Sequence, residues 1–338
     1  MLVAVKRLLI TALLLLLLVI ATGTAASWWV LHQPLANLQQ AQLLEINRGV
    51  NAGSTVRLLY QQKLIAYPRL AYYSSRIWLN PQHLKAGVYQ LQPGLTLIEL
   101  WHQLEQGRQH QFQLTLIEGQ TWRQWQQRLQ QAPYLTLRSE YLSDHELIKT
   151  VIGPAATYLS LEGLLMADTF SYQAYTDDVS LLKQAHQKLI TELQLQWQQR
   201  AANLPYKNPY ELLIMASIIE KETGIAGERA LVSSVFVNRL NANMRLQSDP
   251  TTIYGIENFD GNLTRAHLRQ ETAYNTYRIA GLPPTPIAMV SRASLRAAAH
   301  PARSDYYYFV ADGSGGHVFS QTYEQHQQAV NRYQRKQR

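Results

Sequence analysis

The sequence predicts an α+β fold carried behind one N-terminal membrane-spanning helix. Three observations predict it. Residues 8–31 are uncharged and mostly apolar, which meets the length of about 20 residues that crosses a bilayer. Between residues 43 and 129, strand-like runs alternate with capped helical runs, the mark of a small α+β unit. From residue 178 onward longer helical periodicities dominate, and a strand pair follows near the C-terminus.

Each element has a local reason. Lys6 and Arg7 precede the apolar run, so the N-terminus is expected in the cytoplasm and the rest outside. Trp28 and Trp29 fall where an interfacial aromatic anchor belongs. Thr24-Ala25-Ala26-Ser27 has the small residues of a signal-peptide cleavage site, but the apolar run continues through the Trp pair, which favours an uncleaved anchor. Residues 34–42 read as a polar, helical stalk. Ala86 to Leu97 reads as a strand, a Pro93-Gly94 turn and Thr96 as the N-cap of a helix over 98–104. Gln113 to Trp122 repeats that order, with Thr121 capping a helix through Leu129. Residues 132–172 read as loop-rich. An amphipathic helix is expected over 178–198, with Leu181, Leu182, Ala185, Leu189 and Leu193 on one stripe. Asn208-Pro209-Tyr210-Glu211 opens another helix with a cap, a Pro at the first helical position and an acid three residues on. A helix over 228–240, an irregular Pro- and Asn-rich stretch over 247–287 and a helix over 294–299 follow. Tyr306 to Ala311 and His317 to Ser320 then flank the turn Asp312-Gly313-Ser314-Gly315-Gly316.

Composition narrows the function classes. The formal net charge of +8 is spread along all 338 residues. It suits anionic surfaces, while no nucleic-acid motif is present and no nucleic-acid partner is expected. There are no cysteines, so disulfides and thiolate metal sites are excluded. Asp312 to Gly316 lacks the spacing of a nucleotide loop, His145-Glu146 lacks the second His of a zinc peptidase, and there is no G-x-S-x-G elbow. His300, His317 and His326 are scattered over different elements. No metal and no cofactor is expected.

The stretch Ile218-Ile219-Glu220-Lys221-Glu222-Thr223 carries the chemistry. On a helical wheel of the preceding apolar residues, Glu222 lies roughly 50° from the mean apolar direction, Glu220 about 110° and Lys221 about 150°. Glu222 is therefore expected to continue the core stripe, with Glu220 flanking it and Lys221 in water. A carboxylate on an apolar stripe resists ionisation, which is what a general acid for glycosidic cleavage needs. Periodicity leaves the other reading open, in which Glu222 ends the helix and bends to solvent.

A longer pattern bears on that choice. Met215 to Thr223 is followed by Ser234-Val235-Phe236-Val237-Asn238-Arg239-Leu240, by Met244-Arg245-Leu246-Gln247-Ser248-Asp249-Pro250-Thr251, and by Tyr254-Gly255. Ala273-Tyr274-Asn275-Thr276-Tyr277, Gly281-Leu282-Pro283-Pro284, Ala298-Ala299-His300-Pro301, Tyr308 to Asp312, Gly316-His317 and Lys85-Ala86-Gly87-Val88-Tyr89 complete it. Together these closely resemble the YceG-like family, the endolytic murein transglycosylases of MltG type. One departure lies at Met166 to Phe170, where Ala167 and Phe170 stand in place of the family's usual Pro and Tyr; an altered loop on the cleft wall is the expected effect.

The resemblance implies a bacterial inner-membrane protein with residues 1–7 cytoplasmic, a transmembrane anchor over 8–31, a LysM-like domain over 43–130 and a YceG-like catalytic domain over 131–338 outside the cytoplasm. The implied reaction is lytic rather than hydrolytic. It cuts the bond between N-acetylmuramic acid and N-acetylglucosamine within peptidoglycan glycan strands, leaves 1,6-anhydro ends, and trims or terminates nascent strands. The family's catalytic Glu maps to Glu222. Glu220, Gln247, Asp249, Thr251, Tyr254, Asn275 and Tyr277 are the expected supporting or substrate-binding residues. The expected partners are the glycan strands, the inner membrane, and peptidoglycan synthases or the elongation and division machinery. Two other readings stand beside it: a hydrolase pairing Glu222 with Asp249, and a membrane-tethered glycan-binding scaffold without chemistry.

Overall fold

The computed structural model describes residues 2–333; residue 1 of the expected cytoplasmic segment and residues 334–338 of the expected catalytic domain lie outside the described residues. The chain is mixed α+β and divides into two compact units. One runs through Phe112 and takes in Tyr172–Tyr175; the other holds Gln113–Ser171 and Thr176 onward. The expected boundary after residue 130 falls inside the second unit.

The first unit begins with α1 (Leu2–His32), the one helix among the described residues long and apolar enough to cross a membrane, with a mean hydropathy of 2.6. Its last turn does not run free. Val30 and Leu31 are buried in the unit's core. The expected helical stalk over 34–42 is corrected: the segment after α1 is not helical. Leu35 N–H donates to the Leu95 carbonyl and Ala36 N–H to that of Leu64, and Leu35 and Leu38 are buried. Apolar burial of these two leucines outweighs the polar character of their neighbours. β1 (Gln42–Ile46) leads through α2 (Ala52–Gln61) and α3 (Pro68–Trp78) to β2 (Gly87–Leu91), which pairs antiparallel with β1 from Gln42↔Leu91 to Ile46↔Gly87. α4 (Leu97–Gln106) starts with a full capping box: Thr96 accepts from the Glu99 N–H while Glu99 accepts from the Thr96 N–H. Leu44, Ile46, Leu59, Leu91, Leu100 and Trp101 fill the core, and the Trp101 indole N–H donates to Ser75 Oγ at 2.8 Å.

β3 (Phe112–Leu116) carries the chain from the first unit into the second, where α5 (Trp122–Gln131) repeats the capping box with Thr121 and Gln124. α6 (Asp144–Val151), in the stretch read as loop, has its own box at Ser143 and Glu146 and buries Leu147, Ile148 and Val151. β4 (Asp168–Tyr172) pairs with β3. The Ala167-to-Phe170 departure belongs to this strand and its approach, not to a loop lining the Glu222 cleft. Ala167 N–H donates to the Val290 carbonyl at 3.2 Å, a bond that a proline could not make.

Helices α7 (Asp178–Gln199), α8 (Pro209–Glu222) and α9 (Arg229–Asn241) build the main core. The stretch read as irregular holds two short helices, α10 (Asp249–Tyr254) and α11 (Arg265–Arg269). α12 (Arg292–Ala299) packs on α8. β5 (Tyr308–Ala311) and β6 (His317–Ser320) form the antiparallel hairpin, and α13 (Tyr323–Tyr333) packs against it.

Candidate active site

α8 positions the site. Asn208 Oδ1 accepts from the Glu211 N–H at 3.0 Å and Pro209 takes the first helical position, which fixes where the helix begins. Every residue from Leu212 to Glu220 is buried. The helix ends at Glu222, because Thr223 adopts an extended conformation and its hydroxyl accepts from the Ile225 N–H.

The wheel order of the two carboxylates is corrected. Glu220 is the deeper one, 8% exposed. Its Oε2 accepts from Ser291 N–H at 2.7 Å and Ser291 Oγ at 2.5 Å, and Arg229 stands 3.8 Å from its Oε1. A helix buried on all sides has no single apolar direction, so its wheel carries little directional information. Glu220 ties α8 to the start of α12. Lys221 is exposed, as expected, and donates to the Gly119 carbonyl at 3.0 Å.

Glu222 is partly buried and lines a cleft of about 410 Å³. Its carboxyl is pushed up to about 7, first by desolvation and further by the Asp249 charge; the Ser248 hydrogen bond and the Arg239 charge oppose this. Ser248 Oγ donates to Glu222 Oε1 at 2.5 Å. Such a group is substantially protonated near neutral pH and can donate or accept a proton there.

Gln247, Asp249 and Tyr277 line the same cleft. Tyr277 OH donates to Asp249 Oδ1 at 2.7 Å; burial, with the Asp249 charge, raises the Tyr277 phenol above its ordinary value, so the phenol stays a donor. Gln247 holds a left-handed backbone, φ 51°, uncommon for a side-chain-bearing residue and a sign of a segment held by its surroundings. Its Oε1 accepts from Arg239. Arg239, buried on α9, donates to the carbonyls of Tyr307 at 2.6 Å and Leu246 at 2.7 Å. It thereby fastens both the Gln247 segment and the chain entering β5.

Besides Glu220, three expected residues lie elsewhere. Thr251 and Asn275 are fully buried. Thr251 Oγ1 donates to the Ser248 carbonyl at 2.7 Å, and the Asn275 amide donates to the carbonyls of His267, Leu268 and Gln270. Thr251 thus clasps the turn that presents Ser248, while Asn275 fastens the end of α11. Tyr254 lines a separate cleft of about 580 Å³ with Glu162, Arg123 and Lys221.

Sequence reasoning missed Ser248, Arg239 and Glu162 as site residues. Glu162 is 7% exposed, and desolvation raises its carboxyl to about 7. Its two oxygens accept from the Trp122 N–H at 3.2 and 3.1 Å at the start of α5. The signal for Ser248 and Arg239 was present only as membership in the quoted motif blocks, since neither stands out by periodicity.

An α+β fold behind a long apolar helix, with the Glu222 carboxyl held by Ser248 in an open cleft that Asp249 and Tyr277 also line, is the class the structure defines. The YceG-like family model matches residues 44–332, and the chain belongs to the YceG-like family. An endolytic murein transglycosylase of Bacillus subtilis is 40% identical over 124 residues, 37% of this chain and 34% of that protein. One of Streptococcus pneumoniae is 28% identical over 349 aligned positions, 93% of this chain and 63% of that protein. The chain thus spans less than two thirds of the length of these relatives. The crystal structure of a YceG-like protein from Listeria monocytogenes matches with a TM-score of 0.51 at 26% identity, covering 86% of this chain and 99% of that one.

Proposed function

We propose that this protein is a membrane-anchored lytic transglycosylase that cuts peptidoglycan glycan strands internally, with Glu222 as its single general acid and base. The observation that carries the proposal is the placement of Glu222 in an open cleft, with Ser248 on one carboxyl oxygen and the hydrogen-bonded pair Asp249 and Tyr277 lining the same cleft; burial also raises its carboxyl to about 7. Family membership and the names of the relatives support the substrate class.

Protonated Glu222 donates to the glycosidic oxygen as the bond from the muramic acid C1 breaks. The C6 hydroxyl of the same sugar attacks C1, and its proton returns to Glu222. No water is consumed, and the product is a 1,6-anhydro ring. Intramolecular attack gains from proximity, so a second carboxylate is not needed to activate water, in contrast to ordinary glycosidases. Asp249, oriented by Tyr277, offers negative charge to the positive transition state. Ser248 holds one Glu222 oxygen and leaves the other for the substrate.

In this reading α1 is a single transmembrane span in the inner membrane, with Lys6 and Arg7 keeping its start in the cytoplasm and both units outside. Residues 43–130, which lie mostly in the first unit, serve as a LysM-like module. Glu220, Thr251 and Asn275 act as scaffolding for the site, and Tyr254 belongs to the neighbouring cleft. Synthases of the same polymer are the natural protein partners. Digestion of isolated peptidoglycan by wild type and Glu222→Gln, read by mass spectrometry, tests the proposal. Anhydro ends from wild type alone are expected. Reducing ends would transfer the reaction to a two-carboxylate hydrolase using Asp249, the same products from both proteins would refute the enzyme reading at Glu222, and no products from wild type would leave a binding scaffold.

A further inference from the structure

The first unit exposes an apolar surface that its own core does not use. α3 ends in Ile77 and Trp78, 72% and 58% exposed, and Trp28 of α1 is 64% exposed. Thr24, Ala25 and Trp28 of α1, with Trp78, Leu79 and Ile98, line one open groove of about 510 Å³. Its polar groups are turned to their own helix: Thr24 Oγ1 donates to the carbonyls of Ile20 and Ala21, and His32 bonds the Trp28 carbonyl and stacks on the Trp28 ring. What the groove offers a ligand is apolar wall, together with indole rings that suit the boundary between hydrocarbon and water.

The depth of this groove follows from α1. The helix is unbroken from Leu2 to His32, and its last turn is locked into the first unit's core through Val30 and Leu31. Counted from Leu8, directly after Lys6 and Arg7, about 20 residues at about 1.5 Å each cross a hydrocarbon layer of about 30 Å and end near Ser27. Thr24 and Ala25 then lie about one turn inside the boundary, and Trp28 to His32 lie in the headgroup layer. A groove lined by Thr24 and Ala25 opens at that depth onto acyl chains.

We propose that this groove, with Ile77 and Trp78, is a lipid-binding surface. Phospholipid acyl chains of the adjoining leaflet fill it, and the end of α3 inserts as a second anchor beside α1. Two contacts fix the standing angle of the first unit on the membrane, which a single helix leaves free to rotate. Arg76, exposed next to Ile77, adds a cation at headgroup level. Lipid is favoured over a protein occupant because the groove is continuous with the flank of the span itself. The inference rests on the reading of α1 as a transmembrane helix.

The chain has no cysteine, so single cysteines at Ile77, Trp78, Leu14 and Gln106 can each carry an environment-sensitive fluorophore in the full-length protein. Gln106 stands at the far end of α4 from Ile98, about 12 Å along the helix. The labelled proteins are reconstituted in vesicles of phosphatidylethanolamine and phosphatidylglycerol, with or without nitroxide on the acyl chains. Probes at 77 and 78 are expected to lose most of their emission to a shallow nitroxide and the Leu14 probe to a deep one, while the Gln106 probe is unaffected. Quenching at Leu14 without quenching at 77 and 78 overturns the lipid surface and leaves the span standing. No quenching at Leu14 overturns the span. Blue-shifted but unquenched probes at 77 and 78 mean that a second copy of the chain fills the groove, which also overturns the proposal.

Discussion

Replacing Glu222 by glutamine is expected to remove the acid and, on the same physical ground, to stabilise the fold at alkaline pH. Burial moves this carboxyl from its ordinary 4.5 to about 7. At about 1.4 kcal/mol for each tenfold change in the proton equilibrium, the ionised form is about 3 kcal/mol less favourable in the folded chain than in the unfolded one. The folded value is the higher, so the linked stability is fully present below about pH 4.5 and is lost as pH rises to about 7. Glutamine has no such loss, and its amide oxygen can still accept from Ser248. The variant should therefore gain about 2 to 3 kcal/mol more over wild type at about pH 8 than at about pH 5. Urea unfolding of the full chain in detergent measures this, with Trp122, Trp125 and Trp197 reporting on the second unit. Glu162 has a similarly raised carboxyl, but it is present in both proteins and cancels in the difference. An equal gain at both pH values would mean that Glu222 ionises freely in the folded state, and the single-acid mechanism would lose its physical basis.

Three further outcomes are expected. Asp249→Asn removes a charge that raises the Glu222 carboxyl, so the alkaline limb of the rate–pH profile on peptidoglycan should move to lower pH; an unmoved limb would mean that the Asp249 charge does not reach Glu222. Arg239→Met strands the carbonyls of Tyr307 and Leu246 and should cost about 3 kcal/mol, visible as a fall of several degrees in Tm; an unchanged Tm would refute the fastening role. Glu162→Ala takes the carboxylate from the Trp122 N–H and should cost about 1 kcal/mol without changing the glycan products. Loss of those products with the fold intact would assign Glu162 to the chemistry.

Where the structure follows from neighbours in sequence, the chain is readable. Thr96 with Glu99 and Thr121 with Gln124 start α4 and α5 through bonds within three residues. The same kind of box at Ser143 and Glu146 went unread, because α6 is only eight residues long and its apolar stripe is brief. Residues 34–42 looked like a stalk because their composition is polar, yet Leu35 and Leu38 are buried among residues from distant parts of the first unit. α10 and α11 stayed hidden for a related reason. They are six and five residues long, too short for periodicity, and the Asn275 amide fastens the end of α11 by tertiary bonds.

The sequence by itself determined the apolar span, the capped strand-to-helix corners, the start of α8 and the family to which the chain belongs. These rest on local hydrogen bonds, on composition, or on motif blocks that need no knowledge of contacts. Only the tertiary structure decided what surrounds each carboxylate. Glu220 and Glu222 are two residues apart on one helix, but Ser291 takes the first into the wall while Ser248, Asp249 and Arg239 surround the second. Desolvation and charge are sums over everything nearby in space, and those neighbours arrive from α9, α10 and α12. A wheel drawn for a helix buried on all sides cannot contain them.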